Sequence, residues 1–249
     1  MKSLFLLVLF LSTLLASEQN TPLFVGAGPY FQTQPYTGAA TKITPSPVIF
    51  FDNHLFYVRW TRVGVYVAGA SKEEYSWGVS LTAQPEPFGY KASDSQSLNG
   101  MTNKDNTIEA GIALDAEYKT HFFNVVFFQD ILNKSNSYLA RAEVGEHLKL
   151  SKWDLYPSVM LIYHAKKFNE YYYGVTPAEA TSTRAAYEPQ AGIDYSFQSY
   201  AKYNFNDRWS TLLNFRADYL DKTEQNSPIV SDKYMFSGLA SVMYKFELK

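Results

Sequence analysis

The sequence predicts an all-β fold, a single antiparallel transmembrane β-barrel of about twelve strands. Three observations support this prediction: long segments alternate apolar with polar residues, their polar faces include charged residues, and the connections alternate between short and long. Ten strands is the alternative count, because the first four segments are short or are interrupted by Pro45 and Pro47.

The alternation is clearest in the last three segments. Ile193, Tyr195 and Phe197 alternate with polar residues, and residues 207–220 and 234–246 repeat the pattern. Successive side chains point to opposite faces of a strand, so each segment has one apolar face and one polar face.

The length and charge of these segments favour a membrane barrel over a soluble β-sandwich, whose strands also alternate. The segments run about ten to fourteen residues, against a mode of about five or six in soluble sheets. About ten residues cross a bilayer at a tilt. The polar faces carry Lys202, Arg208, Arg216 and Asp218, which a sandwich core could bury only at a high desolvation cost. A lipid-facing side and a watery lumen account for both faces.

Residues 1–17 have the layout of a secretory signal peptide, with Lys2 before an apolar run from Leu4 to Leu15. That run is too short to span a bilayer as a helix. The chain has no Cys, so we expect no lipid anchor and no disulfide. We expect residues 18–249 to form a barrel in the outer membrane of a Gram-negative bacterium, surrounded by outer-membrane lipid.

The overall composition agrees with this class of protein. Aromatic residues make up 17% of the chain, which suits the two interfacial girdles of a membrane barrel. The formal net charge of −2 gives no reason to expect nucleic acid as a partner.

The predicted strands follow one another along most of the mature chain. They lie at residues 23–32, 43–52, 54–60, 62–70, 74–84, 107–118, 121–130, 136–150, 153–168, 193–205, 207–220 and 234–246. Residues 122–128 are apolar on both faces, so their segment supports the strand pattern less clearly.

Connection lengths test this division independently. If the N-terminus starts in the periplasm, the connections on the periplasmic side are all short, and nearly all of those on the outer side are longer. The periplasmic set is 53, 71–73, 119–120, 151–152 and 206, and the outer set is 33–42, 85–106, 131–135, 169–192 and 221–233. Short periplasmic turns and long outer loops are the rule for such barrels. The tight connection near Thr61 is an exception.

One outer loop reads NEYYYGVTPAEATSTRAAYEPQAG and contains an aromatic pair, a Gly-Val-Thr-Pro-Ala stretch, a later Tyr and a Gly that enters the next strand. The residues that fit this pattern are Tyr172, Tyr173, Gly174, Val175, Thr176, Pro177, Ala178, Ala180, Tyr187 and Gly192. A second loop contains Ser227–Val230, read as SPIV, before the aromatic final segment. In both loops the chain resembles the MipA/OmpV family of outer-membrane proteins, named for the MltA-interacting protein.

The resemblance implies an outer-membrane barrel that acts as a scaffold. It would hold a murein-degrading lytic transglycosylase together with a penicillin-binding murein synthase. The family usually ends on an aromatic residue, whereas here Phe246 is followed by Glu247, Leu248 and Lys249. That departure concerns recognition by the barrel-assembly machinery, which is another expected partner.

The first of these loops has two interpretations. Thr176 to Glu179 forms a capping box with Pro177 at the first helical position, which predicts a short helix that starts there. A structural role would fold the loop over or into the mouth, whereas a functional role would make it a lid that contacts a ligand. The candidate contacts are Tyr171, Tyr172, Tyr173, Gly174, Thr176, Pro177, Glu179, Arg184, Tyr187 and Glu188.

A second set of candidates lies on the lumen face. Pairing about a turn near Asn206 predicts Ser196 opposite Arg216 and Asp194 opposite Asp218, with Arg216 between the two carboxylates. These groups form either an ion-pair network that fills a narrow barrel or a charged constriction that selects small solutes.

The sequence indicates no catalytic, metal or cofactor site. The pairing of residues 136–150 with residues 153–168 places His147 opposite Tyr156 and His164 opposite Leu139, so the histidines lie far apart and without metal-ligand spacing. Lumen-side serines have no predicted histidine neighbour, which argues against an enzyme. The alternatives to the scaffold are a narrow small-solute channel, or porin-like protein, and an adhesin-like surface-contact barrel.

Overall fold

The computed structural model describes residues 21–248, so the predicted signal peptide at residues 1–17 lies outside the described residues. The strands are β1 Thr21–Gln32, β2 Lys42–Asp52, β3 Phe56–Arg59, β4 Arg62–Ser71, β5 Tyr75–Glu86, β6 Thr107–Tyr118, β7 His121–Asp130, β8 Tyr138–Glu146, β9 Leu148–Leu150, β10 Trp153–His164, β11 Gly192–Asn204, β12 Trp209–Tyr219 and β13 Tyr234–Leu248. The helices are α1 Lys166–Tyr173 and α2 Lys222–Gln225, and two 3₁₀ turns lie at Ala92–Asp94 and Gln96–Leu98. No helix in this part of the chain is long and apolar enough to cross a membrane.

The strands form one antiparallel sheet that closes on itself. Each strand pairs with its neighbours in sequence, and β1 pairs with β13 to complete the circle. β8 and β9 both pair with β10 and are separated only at His147, so they occupy one position in the wall. The fold is therefore a closed twelve-stranded antiparallel barrel, as the sequence predicts.

Strand β7 shows how the two faces divide. Phe123, Val125 and Phe127 are about half exposed and face outward, whereas Val126 and Phe128 are buried in the lumen. A strand that is apolar on both faces is expected where the lumen itself holds an apolar core. This explains why residues 122–128 do not alternate.

The connections divide the barrel into two unlike ends. One end, called here the turn end, has the connections 53–55, 72–74, 119–120, 151–152 and 205–208. The other, called the loop end, has the connections 33–41, 87–106, 131–137, 165–191 and 220–233. The predicted alternation of short and long connections is confirmed, and by the general rule the loop end faces outward.

The tight connection at Trp60 and Thr61 marks an irregular part of the wall. The β3–β4 hairpin ends there, and within the described chain residues 42–48 of β2 pair only with β1. An unpaired edge tolerates proline because no ladder hydrogen bond is lost. This accounts for Pro45 and Pro47, which interrupt the strand pattern in the sequence.

Two local predictions are wrong. The strand predicted at residues 153–168 ends at His164, and α1 begins two residues later, because the chain there leaves the wall and packs its aromatic residues inward. The helix predicted to start at Thr176 is a single turn, in which the amide of Glu179 donates to the carbonyl of Thr176 at 3.0 Å.

Candidate functional site

The loop end is closed by a buried aromatic and aliphatic cluster, called here the cap core. Four loop-end connections contribute to it, together with inward positions of β6, β7 and β8. Its members are Tyr36, Tyr90, Leu98, Met101, Ala113, Val126, Phe128, Leu139, Phe168, Tyr172, Tyr173, Val175 and Ile229. Apolar burial on this scale is the main stabilising term for such a closure.

The longest loop-end connection supplies the centre of the cap core. Its helix α1 presents Tyr172 and Tyr173, both fully buried, so these two candidate contacts are core residues. Gly174 follows the helix, and a Cβ there would clash with the carbonyl oxygen of Glu170. Val175 then pairs with Tyr187 in an isolated antiparallel bridge. The loop thus folds back on itself and buries Tyr172, Tyr173 and Val175.

The second loop that resembles the family packs against the first. Ser227 Oγ donates to the carbonyl of Tyr173 at 2.6 Å, and the Tyr187 hydroxyl donates to the carbonyl of Thr223 at 2.7 Å. The amide of Thr37 donates to the carbonyl of Ile229 at 2.9 Å. The two loops that suggested the family therefore build a single substructure.

Glu179 clamps residues 165–191 to residues 87–106. Its carboxylate accepts hydrogen bonds from the Thr102 amide at 2.8 Å, the Thr176 amide at 3.0 Å and the Thr176 hydroxyl at 2.8 Å. Burial raises the pKa of Glu179, but these hydrogen bonds outweigh it and lower the pKa to about 2. The predicted capping contact exists, yet it fastens two loops together and leaves Pro177 exposed.

Arg184 makes a second clamp between the same two loops. Its guanidinium donates to the carbonyl of Glu179 at 2.7 and 3.1 Å, to that of Ser97 at 2.7 Å and to that of Asn99 at 3.0 Å. The residue is buried, and its planar fork suits several acceptors at once. Arg184 thus contacts backbone carbonyls, whereas Glu188 at the exposed rim pairs with Lys166.

The lumen network differs from the predicted one. Ser196 lies opposite Asp218 and Gln198 opposite Arg216, so the prediction that Asp194 faces Asp218 is wrong. Arg216 pairs with Asp218, with Nε at 2.8 Å and Nη2 at 2.7 Å from Oδ1. The Ser196 hydroxyl also donates to Asp218. Asp194 belongs to a different group of residues.

That group joins Asp194 to His164 and Glu224. The Nδ1 atom of His164 lies 2.9 Å from Oε1 of Glu224 and 3.7 Å from Oδ2 of Asp194. All three residues are buried, and each offers a ligand atom within 4.8 Å of the others. Sequence reasoning missed this arrangement, because the three come from β10, β11 and α2 and no local spacing links them. His164 does lie opposite Leu139, as predicted.

The turn-end half of the lumen has its own charged network. Arg59 contacts Asp52 at 3.0 Å and Asp115 at 2.8 Å, and Arg62 contacts Asp115 at 3.3 Å. These side chains are partly exposed, and residues 67–71 of β4 are exposed on both faces. The turn-end half of the lumen therefore combines a partly exposed charged network with a second, smaller cluster of buried hydrophobic residues: Val48, Leu212, Leu239 and Met243.

Comparison with known proteins agrees with the architecture. The family model described as "MltA-interacting protein MipA" matches residues 25–246, so the chain belongs to this family and is an outer-membrane protein. It is 26% identical to the Escherichia coli "Putative outer membrane protein YiaT" over 97% of this chain and 98% of the relative. It is also 26% identical to the Escherichia coli "MltA-interacting protein" over 89% of each chain. Identity to "Outer membrane protein OmpV" of Vibrio cholerae is 28%, over 63% of this chain and 61% of the relative.

Proposed function

We propose that this barrel is a non-enzymatic outer-membrane scaffold that holds a murein lytic transglycosylase and, with it, a penicillin-binding murein synthase. The observation that supports the proposal best is the contrast between the two ends of the lumen. The large cap core fills the loop end, whereas the turn-end half of the lumen holds partly exposed charged residues beside a smaller apolar cluster. A barrel closed on its outer side has a periplasmic surface for binding but lacks the continuous path that a solute needs.

The relative named for its interaction with MltA supports a partner of the transglycosylase class. The proposal also includes outer-membrane lipid around the exposed apolar belt and the barrel-assembly machinery as the insertion partner. Tyr195, Phe197 and Phe215 are examples of outward apolar side chains in that belt, which lipid would cover at little cost.

The partner surface in this proposal is the turn-end rim with the inner wall next to it. The turns alone are short, and a stable interface needs about 800 Å² per partner. Residues 67–71 of β4 and 148–150 of β9 add exposed backbone and side chains next to the turns. A partner that contacts this rim as well would therefore bury more area than the turns can offer.

The channel alternative is disfavoured by the same cap core. A small-solute channel needs a lining that solutes can cross, whereas thirteen buried hydrophobic residues close the loop end among the described residues. The adhesin-like alternative needs exposed loop surface, which residues 181–183 provide, but no further feature of residues 21–248 favours it.

Site-specific photo-crosslinking tests the scaffold. A photoreactive residue at Lys72 or Lys152, both exposed at the turn end, is expected to crosslink the transglycosylase in cells. The matched control is Thr183, which is exposed at the loop end. If neither turn-end position gives the adduct, or if Thr183 gives it equally well, the scaffold proposal fails.

A further inference from the structure

We propose that His164, Asp194 and Glu224 form a binding site for one divalent transition-metal cation of the zinc class. The site lies inside the barrel beneath the cap core, and it would join the end of β10, the start of β11 and helix α2. This goes beyond the scaffold function, since it concerns how the outer loops are fastened to the wall. The proposed metal site can be tested without any protein partner.

The spacing of the three candidate ligand atoms fits a small cation. Tetrahedral zinc with bonds of about 2.1 Å places its ligand atoms about 3.4 Å apart. His164 Nδ1 shares a hydrogen bond with Glu224 Oε1 at 2.9 Å, which a bound ion would replace, and lies 3.7 Å from Asp194 Oδ2; all three ligand atoms lie within 4.8 Å of one another. The other oxygen of Asp194 accepts a hydrogen bond from the Asp221 amide at 2.8 Å, and hydrogen bonds of this kind orient the ligands of metal sites.

Glu224 provides an independent indication that a ligand belongs here. The residue is fully buried, and its Oε2 atom has no hydrogen-bond partner of ordinary geometry within residues 21–248. The buried Tyr173 hydroxyl lies beside this carboxylate as a potential donor, yet it too makes no hydrogen bond of ordinary geometry in the described chain. A buried carboxylate oxygen without a partner costs free energy, which a bound cation would recover.

The buried acidic residues around the three candidate ligands also favour a bound cation. Five buried carboxyl groups act on one another in this half of the lumen: Glu86, Glu109, Asp194, Asp218 and Glu224. The basic groups with the largest effect on this set are Arg141, Arg216 and His164. Arg216 is already paired with Asp218. An excess of buried acidic groups is unfavourable unless protons or a metal ion offset it.

The donor set selects the class of ion. Imidazole nitrogen suits zinc and its neighbours in the transition series, whereas Ca²⁺ and Mg²⁺ take oxygen ligands. One imidazole and two carboxylates supply three ligands and leave a position for water. Phe168 stacks on the His164 ring, with the ring centroids 4.2 Å apart, so the imidazole is held in place before a cation arrives.

Zinc binding to the purified barrel tests the site. The refolded wild-type chain, stripped with a chelator, is titrated with Zn²⁺ alone and then separately with Ca²⁺ and Mg²⁺. We expect one Zn²⁺ per barrel, a higher melting temperature with Zn²⁺ and no such change with the other two ions. No zinc binding, or equal responses to all three ions, would overturn the proposal.

Matched variants locate the bound ion. We expect Glu224→Gln, which keeps the shape of the side chain, to weaken zinc binding at least about tenfold, since loss of outer contacts alone costs about 10- to 100-fold. His147→Gln is the control, because His147 pairs with Asp154 at 3.1 Å near the turn end. Zinc binding lost in His147→Gln, or kept in Glu224→Gln, would contradict the site. If Glu224→Gln does not fold, two other measurements replace it. Asp194→Asn is expected to weaken zinc binding, and the visible spectrum of wild-type barrel loaded with Co²⁺ is expected to show a bound ion.

Discussion

The loop end and the turn end of this barrel are built on the same twelve strands but differ in what fills them. At the loop end, four connections fold inward and pack the cap core, and the Glu179 and Arg184 clamps join two of these loops. At the turn end, the connections are short and charged side chains remain partly exposed. Strand alternation therefore determines the wall, while the inward-folding loops determine how the outer end is closed.

Tyr173→Ala should produce the largest difference between the two ends. The residue is fully buried in the cap core, and truncating a large buried aromatic ring costs about 3–5 kcal/mol. We expect hydrogen exchange to rise across residues 165–191 while the barrel strands stay protected. Tyr118→Ala at the turn end is the control, and its cost should stay below about 1 kcal/mol because the ring is half exposed. Equal losses of stability in Tyr173→Ala and Tyr118→Ala would contradict the difference between the loop end and the turn end.

Arg184→Lys should have the next largest effect, a loss of about 3 kcal/mol in loop-end stability. Lysine keeps the charge but cannot reach the carbonyls of Glu179, Ser97 and Asn99 together. Limited proteolysis of residues 87–106 measures the opening. Arg208→Lys at the exposed turn end is the matched control, and cleavage that is no faster in Arg184→Lys would show that the clamp is unimportant.

Acid should loosen the Glu179 clamp. The pKa of this carboxyl is about 2 in the folded protein against 4.5 ordinarily, so its stabilising contribution is complete above pH 4.5 and is lost as the pH falls toward 2. By pH 3 the loss should reach about 2 kcal/mol. Melting curves are recorded for the wild type and for Glu179→Gln between pH 7 and 3. The difference between the two proteins at each pH isolates the contribution of this carboxyl group. A difference that does not change with pH would contradict the clamp.

Ser46→Ala should give the smallest effect, about 1 kcal/mol. Trp60 has a φ of 57°, a conformation that bulky residues rarely adopt, and its Nε1 donates to Ser46 Oγ at 2.9 Å. Without that acceptor the hairpin tip should exchange its amides faster and shift its tryptophan fluorescence. Ser182→Ala, in an exposed loop, is the control. If amide exchange and tryptophan fluorescence are unchanged in Ser46→Ala, the β3–β4 hairpin does not depend on this hydrogen bond.

Much of the wall could be predicted from sequence. All twelve wall strands were predicted, most clearly where alternation and charged polar faces are present, since one face of each must meet lipid. The register between β11 and β12 was wrong by two residues. Asn206 Oδ1 accepts from the amides of Arg208 and Trp209, so the turn is centred one residue later than predicted. The side chains stayed on their predicted faces because a shift of two preserves the alternation.

The cap core and the group around His164 could not be predicted in the same way. Loop length indicated that the outer connections are substantial, and the capping box identified the Thr176–Glu179 contact. Neither signal reveals that Tyr173 meets Ser227, or that Glu224 meets His164. Such contacts join residues far apart in sequence and depend on how the loops fold into the lumen, which periodicity does not encode.

Single-channel recording tests the central claim most directly, because that claim is a barrel closed at its loop end. The mature chain, from about Glu18, would be refolded and inserted into planar bilayers, with insertion checked by the heat-dependent migration of the folded barrel. We predict a folded, inserted barrel that shows no steady conductance. Steady, ion-selective steps from the wild-type protein would contradict the closed loop end and restore the channel alternative.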